Sequence, residues 1–543
     1  MLIVLKLSAY NCLEATEGEL VITFNRRDFV TFLGGVIGHS LVGCTRDSSV
    51  KSANYSEKLP QLESNNLDKL SMLEGLNYEV LLEWGQPIGK DIEFGFNNDY
   101  LAVLPTGKTD ESWLWINHEY TNPLFVSGAK RGDTKTKDQI ETEMKSVGGS
   151  LVKIKRNLKT NRWMFVPGSG RRFDAKSEIP FAKGMVKNSK TAIGTMGNCA
   201  GGYTPWRTFL TCEENIDGYY GDVNSKGKQI DKPFLQWENF YQYPPEHYGW
   251  VVEINPSNGK AKKHIALGRF AHESCTVHPL KDGRVVAYSG DDKADEHLYR
   301  FVSSKPNSLD EGELFVADIK KGKWLSLDYE KQAKLQKNFK DQIEVLTFCR
   351  EAAKILGATP LDRPEDIEIH PKTGDVYVAL TNNVERMNFH GSIMKLIPEN
   401  GDHESENFSA SDFLVGGDGV GFSCPDNLAF DAKGNLWFTT DISGKLIGKP
   451  PYTSFGNNGL YYVALSGENA GIARKLIQGP IDSELTGICF TPDGTGLFLS
   501  VQHPGELTKD LDKPTSHWPR GGSEMPRPSV VEVRGPLLEK LLS

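Results

Sequence analysis

Four stretches of this chain repeat one pattern without gaps, and that recurrence limits the fold more than any other feature of the sequence. They begin His272-Glu273-Ser274-Cys275, Pro364-Glu365-Asp366-Ile367, Pro425-Asp426-Asn427-Leu428 and Leu485-Thr486-Gly487-Ile488. Each passes through a turn holding Gly283, Gly374, Gly434 or Gly494. Each then enters an apolar run: Val285-Val286-Ala287-Tyr288, Val376-Tyr377-Val378-Ala379, Leu436-Trp437-Phe438-Thr439 or Leu497-Phe498-Leu499-Ser500. Strand, tight turn, strand reads as a hairpin, present four times. Between Glu273, Glu365, Asp426 and Thr486 the spacings are 92, 61 and 60 residues. The unit is therefore about sixty residues, and the first interval carries roughly thirty more. Segment 324–359 supplies these, with helical patterning at 329–336 and 351–356. A less regular copy ends at 206–213, and another lies within 100–116.

Tandem all-β units of this length predict a β-propeller, with 324–359 as a small helical insertion. About 460 residues at roughly sixty to seventy per blade give six blades, with seven as the other count. A chain of 543 residues is too long for one ordinary compact domain, so it is either several domains or one repetitive fold. No alternation of strands and helices supports a multidomain α/β enzyme. Hydrophobic residues at 38% supply a core and exclude global disorder. A net charge of −9 disfavours a long basic groove for nucleic acid and allows an acidic site that holds cations. Eight cysteines in a chain this long do not form a disulfide framework.

The N-terminal part reads as an address. Asn25-Arg26-Arg27-Asp28 precedes an apolar, Gly-containing stretch that ends in small residues near position 44. Paired arginines before such a stretch form a twin-arginine export signal, handled by the Tat export machinery, with a buried amphipathic helix as the competing reading, and the stretch is too short and weakly apolar for a membrane span. Leu41-Val42-Gly43-Cys44 resembles a lipobox. Lipidation of Cys44, with attachment to a membrane, is one reading; an ordinary cleavage site is the other. The segment before Arg26 is long and carries Glu14, Glu17 and Glu19, as a start codon placed too far upstream would produce. The expected organisation is a signal over 1–44, a polar linker or surface arm over 45–75 and a propeller over 76–543. The expected location is periplasmic or extracellular. Twin-arginine export carries folded proteins, which suits a protein that acquires a cofactor before crossing.

Equivalent positions of propeller blades lie on a ring about the central channel. Glu273, Glu365, Asp426 and Thr486 are equivalent, and three of the four are carboxylates. The second strands end in a further polar set: Asp291-Asp292, Thr381-Asn382-Asn383, Thr440-Asp441 and Gln502-His503, with Glu213-Glu214-Asn215 in the irregular copy. Gathered carboxylates repel and hold protons unless hard cations neutralise them, and Ca2+ takes six to eight oxygen ligands. Capping of turns or pairing with surface lysines is the competing account for any one of them. It weakens for a set that recurs at one repeat position. In Gly197-Asn198-Cys199-Ala200-Gly201-Gly202 a thiol stands in a glycine-rich loop. A thiolate among oxygens favours a transition metal; a small buried cysteine is the alternative. Arg363 precedes Glu365 by two residues and so shares its side of an extended strand. A guanidinium there is suited to bidentate binding of phosphate or carboxylate, or else to an ion pair with Asp362 or Asp366. For His272 a hydrogen-bonded structural role is favoured over a ligand role. Motifs for a serine nucleophile, a zinc helix, a Walker loop or a dinucleotide fold are missing.

Several of these motifs occur together and in order: the twin-arginine signal, Asn117-His118-Glu119-Tyr120, Gly197 to Gly202 with Thr204-Pro205-Trp206, Thr211-Cys212-Glu213-Glu214-Asn215, Arg363-Pro364-Glu365-Asp366 and Cys424-Pro425-Asp426-Asn427. In this set the chain resembles the PhoX alkaline phosphatases over most of its mature part. The resemblance implies a six-bladed propeller that hydrolyses small phosphate monoesters outside the cytoplasm, with an oxygen activated by metal ions as nucleophile. It implies Ca2+ and Fe3+ as cofactors. Cys199 would be an iron ligand, and Glu213, Glu214, Glu273, Asp292, Glu365 and Asp426 carboxylate ligands. Arg363 would grip the phosphate, with Asn215 beside it. The competing readings are a Ca2+-dependent lactonase or esterase on a similar propeller, and a non-catalytic propeller that holds Ca2+.

Overall fold

The computed structural model describes residues 2–7, 18–23 and 59–543. The paired arginines, Cys44 and the linker up to residue 58 lie outside the described residues. Leu2–Leu7 and Gly18–Thr23 form an antiparallel pair in a unit of their own.

Each repeat hairpin opens with a strand that carries the same irregularity. Register slips between Asn98 and Leu101, Asn198 and Gly201, Glu273 and Thr276, Pro364 and Ile367, Pro425 and Leu428, and Thr486 and Cys489. A bulge at that point leaves residues outside the ladder and re-aims their side chains. The strands that carry it are the innermost strands of six sheets among the described residues: Asn98–Pro105, Asn198–Tyr203, His272–Pro279, Pro364–Ile369, Pro425–Phe430 and Glu484–Phe490. These strands contact one another in order, the last against the first, so the six sheets form a ring. The expected six-bladed propeller is the fold.

The bulges also stitch neighbouring blades. Ser274 Oγ accepts the Ile367 amide of the next blade at 3.1 Å. Asp366 Oδ2 accepts the Leu428 amide at 2.9 Å, and Asn427 Oδ1 accepts the Gly487 amide at 2.8 Å. The residue after the ring position thus satisfies a backbone donor that the next bulge removes from its own ladder. Outward from the axis the strands become apolar on both faces. Trp437, Leu460, Leu485, Leu497 and Val531 pack the fifth blade on the sixth. Tyr288, Val286, Ile367, Val376 and Val378 pack the third on the fourth. Burial on both faces is why Val285–Tyr288 and its equivalents read as unbroken apolar runs.

Closure uses the segment before the first repeat. Asn77–Glu83 pairs with Ser529–Arg534 and completes the last blade. Ser71–Met72 pairs with the strand Ala473–Gln478 and extends the fifth. The described part of the stretch read as a polar linker, 59–75, is therefore bound to the propeller. Leu62 donates its amide to Lys475 O at 2.9 Å, and Asp68 Oδ2 accepts the His517 amide at 2.7 Å. Its polarity concealed this, because an outer strand pairs through backbone and shows little apolar periodicity.

Within 324–359 the helices are Ala333–Gln336, Gln342–Thr347 and Cys349–Leu356. The helical pattern at 329–336 yields only its last turn. Cys349, Ala352 and Ala353 face the core of the second and third blades. Gly357, with φ of 83°, closes the helix in a left-handed turn. This docking aims Arg350 toward the axis, where its Nε donates to Asp291 Oδ2 at 2.8 Å.

Leu82, on the closing strand, is fully buried between the last and first blades. Leu82→Ala should lower unfolding free energy by about 2–5 kcal/mol, as large-to-small changes in packed cores do. Urea unfolding measures this, and an unchanged midpoint would show that the closing strand contributes little.

Candidate metal centre

The bulge in each innermost strand brings one side chain per blade to the axis: Asp99, Cys199, Glu273, Glu365, Asp426 and Thr486. The second strands add a further set from their axial ends, including Glu119, Glu214, Asp292 and Asp441. A cavity of about 140 Å³ is lined by these groups together with Tyr120, Asn215, Arg363 and Glu484. It gathers nine carboxylates and one guanidinium. The ligand atoms of Cys199, Glu214 and Glu273 lie within 4.8 Å of one another, and so do those of Asp99, Glu119 and Cys199. The Cys199 thiol belongs to both groups and donates to Asp99 Oδ2 at 3.1 Å.

Local sequence explains how the thiol is held. Asn117 donates to Cys199 O at 2.7 Å and Ala200 O at 2.8 Å, and accepts from Trp115 Nε1 and Thr211 Oγ1, both at 2.7 Å. One buried amide thus fixes the loop. Gly201 and Gly202 let neighbouring backbones close on it. A Cβ would stand 2.5 Å from Leu210 O at the first and 2.1 Å from Cys275 O at the second.

The electrostatics are those of a site made for cations. Burial, then neighbouring carboxylates, holds Glu273, Glu365, Glu214, Asp426, Asp99 and Glu484 well above the usual carboxylate range. Burial, then Asp99 and Glu273, pushes the Cys199 thiol up. Burial acts on Asp292 in the same sense, but the Arg363 guanidinium overrides it and holds that carboxyl below its usual value. Both oxygens of the fully buried Glu273 lack a hydrogen-bond partner, as does Asp99 Oδ1. Buried carboxylate oxygens are normally paired, so these orphans point to a ligand. Hard oxygens fit hard cations, and one shared thiol fits a transition ion among them.

Arg363 anchors the acidic wall. Its Nε and Nη2 donate to the two oxygens of Asp292 at 2.8 and 2.9 Å. Nη2 also stands 2.7 Å from Glu365 Oε1, off the hydrogen-bond direction. Its Nη1 has only a 3.7 Å approach to Asp441 and keeps an edge toward the cavity. It does not get there by strand alternation: Arg363 has φ of 54°, a left-handed backbone held before a proline. Asn215 Nδ2 donates to Glu119 Oε1 at 2.9 Å and Glu214 Oε2 at 2.7 Å.

Of the residues singled out in the sequence, Cys199, Glu214, Asn215, Glu273, Asp292, Arg363, Glu365 and Asp426 meet in this cavity. Glu213 does not. Adjacent residues of a strand face opposite ways, and Glu213 points into the second blade. There Lys263 Nζ meets it at 2.7 Å and the Gly249 and Trp250 amides donate to it at 3.0 and 3.1 Å. Its lone pairs are spent on a buried ion pair. Thr486 holds the ring position of the sixth blade, where Glu484 supplies the carboxylate. His272 is structural, bonded to Ser289 Oγ at 2.8 Å and Gly268 O at 2.9 Å, and burial lowers it to about 3. Asp99, Glu119, Asp441 and Glu484 were not singled out as ligands. Asp99 was legible in principle, since it is the second residue of the first-blade strand Asn98–Pro105, as Glu273 is of His272–Pro279.

Residues 56–505 match the family model described as alkaline phosphatase PhoX. Among solved structures, Pseudomonas fluorescens PhoX in complex with vanadate, a transition state analogue, is similar at a TM-score of 0.79 and 29% identity, covering 89% of this chain and 98% of that one. A gluconolactonase from Xanthomonas campestris gives a TM-score of 0.36 at 10% identity, covering 89% of this chain and 100% of that one. No curated protein matches the chain.

The raised carboxylates set a pH dependence. Without cations the fold favours their protonated forms, so this cluster's contribution to stability is greatest in acid and is lost as pH rises through the raised values. Chelator-treated protein should therefore melt at a lower temperature at about pH 8 than at about pH 5, and added Ca2+ should restore more at the higher pH. Equal midpoints at both pH values, with no response to Ca2+, would contradict a buried acidic cluster.

Proposed function

This chain belongs to the alkaline phosphatase PhoX family, and from that premise we propose that the carboxylate ring is where it hydrolyses phosphate monoesters, loaded with calcium and iron. The observation that carries the reading is a centre of nine carboxylates, six of them buried, with one shared thiol and one guanidinium that keeps an open edge. A phosphate monoester dianion would be repelled by that wall as it stands. When bound, the cations neutralise the wall, supply positive charge against the phosphoryl oxygens and acidify water.

The chain's own residues do the rest. Cys199 is the thiolate donor for iron, and Asn117 ties its loop through the carbonyls of Cys199 and Ala200. Glu273, fully buried and without hydrogen bonds, is the carboxylate most in need of a cation. Glu214, Asp292, Glu365 and Asp426 complete the proposed donor set, with Asp99 and Glu119 on the other side of Cys199. Arg363 keeps Asp292 ionised and turns Nη1 to the phosphoryl group, where charge-assisted hydrogen bonds gain strength as negative charge develops. Asn215 braces Glu119 against Glu214 and stands at the edge of the phosphate position. Hydrolysis outside the cytoplasm is supported by the paired arginines at 26 and 27. Lipid attachment through Cys44 rests on the lipobox resemblance alone.

Elemental analysis of protein purified from the periplasm, paired with hydrolysis of p-nitrophenyl phosphate, tests the reading. Iron with calcium and turnover is expected; calcium without iron, or no turnover, would contradict it. Cys199→Ala should lose iron and activity while keeping its circular dichroism. Arg363→Ala should weaken inhibition by phosphate by roughly tenfold or more, the size of one lost charge-assisted bond. Unchanged phosphate inhibition in that variant would remove its assigned role.

A further inference from the structure

A second cavity, of about 290 Å³, opens beside the metal centre and shares Glu214, Asn215, Asp292 and Arg363 with it. A group esterified to a phosphate held at Arg363 has this chamber next to it. The repeat does not build its outer wall. Asp217 follows the second strand of the second blade, Asp231 ends the hairpin strand Gln229–Asp231 of the same excursion, and Lys293 follows the second strand of the third blade. Blade-specific loops over a fixed centre are where specificity resides in such folds.

The charged groups of the chamber fall into two kinds. Arg269 is tied to Asp222 at 2.7 Å and to Tyr248 O at 2.7 Å, and Arg350 is tied to Asp291. These are committed to structure. Lys293 is different: its Nζ stands 3.8 Å from Asp217 Oδ2 and 3.6 Å from Asp231 Oδ2, beyond hydrogen-bond length. The three side chains are between one third and one half exposed, so the ammonium and the two carboxylates form a loose ion pair whose open side a donor-acceptor group can reach. The nearby ring offers no stacking face. Phe270 is buried against His272 and Tyr299, with centroids 3.6 and 4.2 Å away.

On the phosphatase reading above, we propose that Asp217, Asp231 and Lys293 form a leaving-group subsite that takes an uncharged, hydroxyl-rich alcohol such as glycerol or a single sugar. A hydroxyl both donates and accepts, so it can bridge a lysine and an aspartate spaced this way. An alkyl or aryl group would cover these charges without replacing their water, at a cost in desolvation. A second anion would meet two carboxylates for one lysine. Binding energy from this remote part of the substrate then adds to kcat/KM for polyol esters.

The test compares glycerol 3-phosphate with propyl phosphate, which differ only in the hydroxyls, on the metal-loaded full chain and its Lys293→Gln and Asp231→Asn variants. The ratio of their kcat/KM values should favour the glycerol ester in the parent protein and fall about tenfold in each variant. Calorimetry with 3,4-dihydroxybutylphosphonate and butylphosphonate, which are not hydrolysed and keep the chain length of the esters, should show the same selective loss in Kd. A ratio that is near one in the parent, or unchanged in both variants, overturns the subsite and leaves the phosphatase reading standing. A preference for 3-phosphoglycerate over glycerol 3-phosphate also overturns it, since that leaving group is anionic. Failure to hydrolyse any of these esters overturns the phosphatase reading and the subsite with it.

Discussion

Charge confinement is the constraint on which the rest of this structure depends. Nine carboxylates, six of them buried, share one cavity with a single guanidinium. Such a set cannot be ionised together in a protein interior without counter-ions, and protonation or multivalent cations are the two ways to relieve it. The orphaned oxygens of Glu273 and Asp99 weigh toward cations, because a protonated carboxyl also seeks a hydrogen-bond partner. Arg363 is the one fixed positive charge in the wall. It depresses Asp292 while its neighbours Glu365 and Asp426 stay raised.

The propeller makes this concentration of charge tolerable by spending apolar packing elsewhere. Every blade buries both faces against its neighbours, and bulge side chains tie adjacent innermost strands through backbone amides. The same bulge that delivers a ligand position therefore also delivers the bond that holds the ring at that height. Asp366 shows the cost. Burial pushes it up to about 7 although it accepts two backbone amides. Ring closure by 71–83 completes the scaffold, so residues outside the repeat hold the site together at a distance.

How much of this was legible follows from the periodicity. The recurrence at Glu273, Glu365, Asp426 and Thr486 specified blades, unit length and axial positions, because hairpins at fixed spacing can pack only side by side. Where a blade varied the residue type, the signal weakened. Cys199 occupies the ring position as a thiol, and Thr486 yields its role to Glu484 two residues earlier. Adjacent acids could not be resolved without register, which is why Glu213 read as a ligand while its carboxylate is bound to Lys263. Asp99 stood one residue ahead of the first-blade run that begins at Tyr100. Arg363 was placed in the right company for the wrong reason, since its left-handed backbone, not strand alternation, directs it. Asp217, Asp231 and Lys293 come from excursions that the repeat does not describe.

The central claim is that multivalent cations, iron bound to sulfur among them, knit the ring together. Anomalous diffraction above and below the iron edge, on crystals of the full chain grown without added metal, tests it most directly. The account predicts an iron peak in contact with Cys199 and calcium density against Glu273 and its neighbours. A cavity holding only water between protonated carboxylates would contradict it.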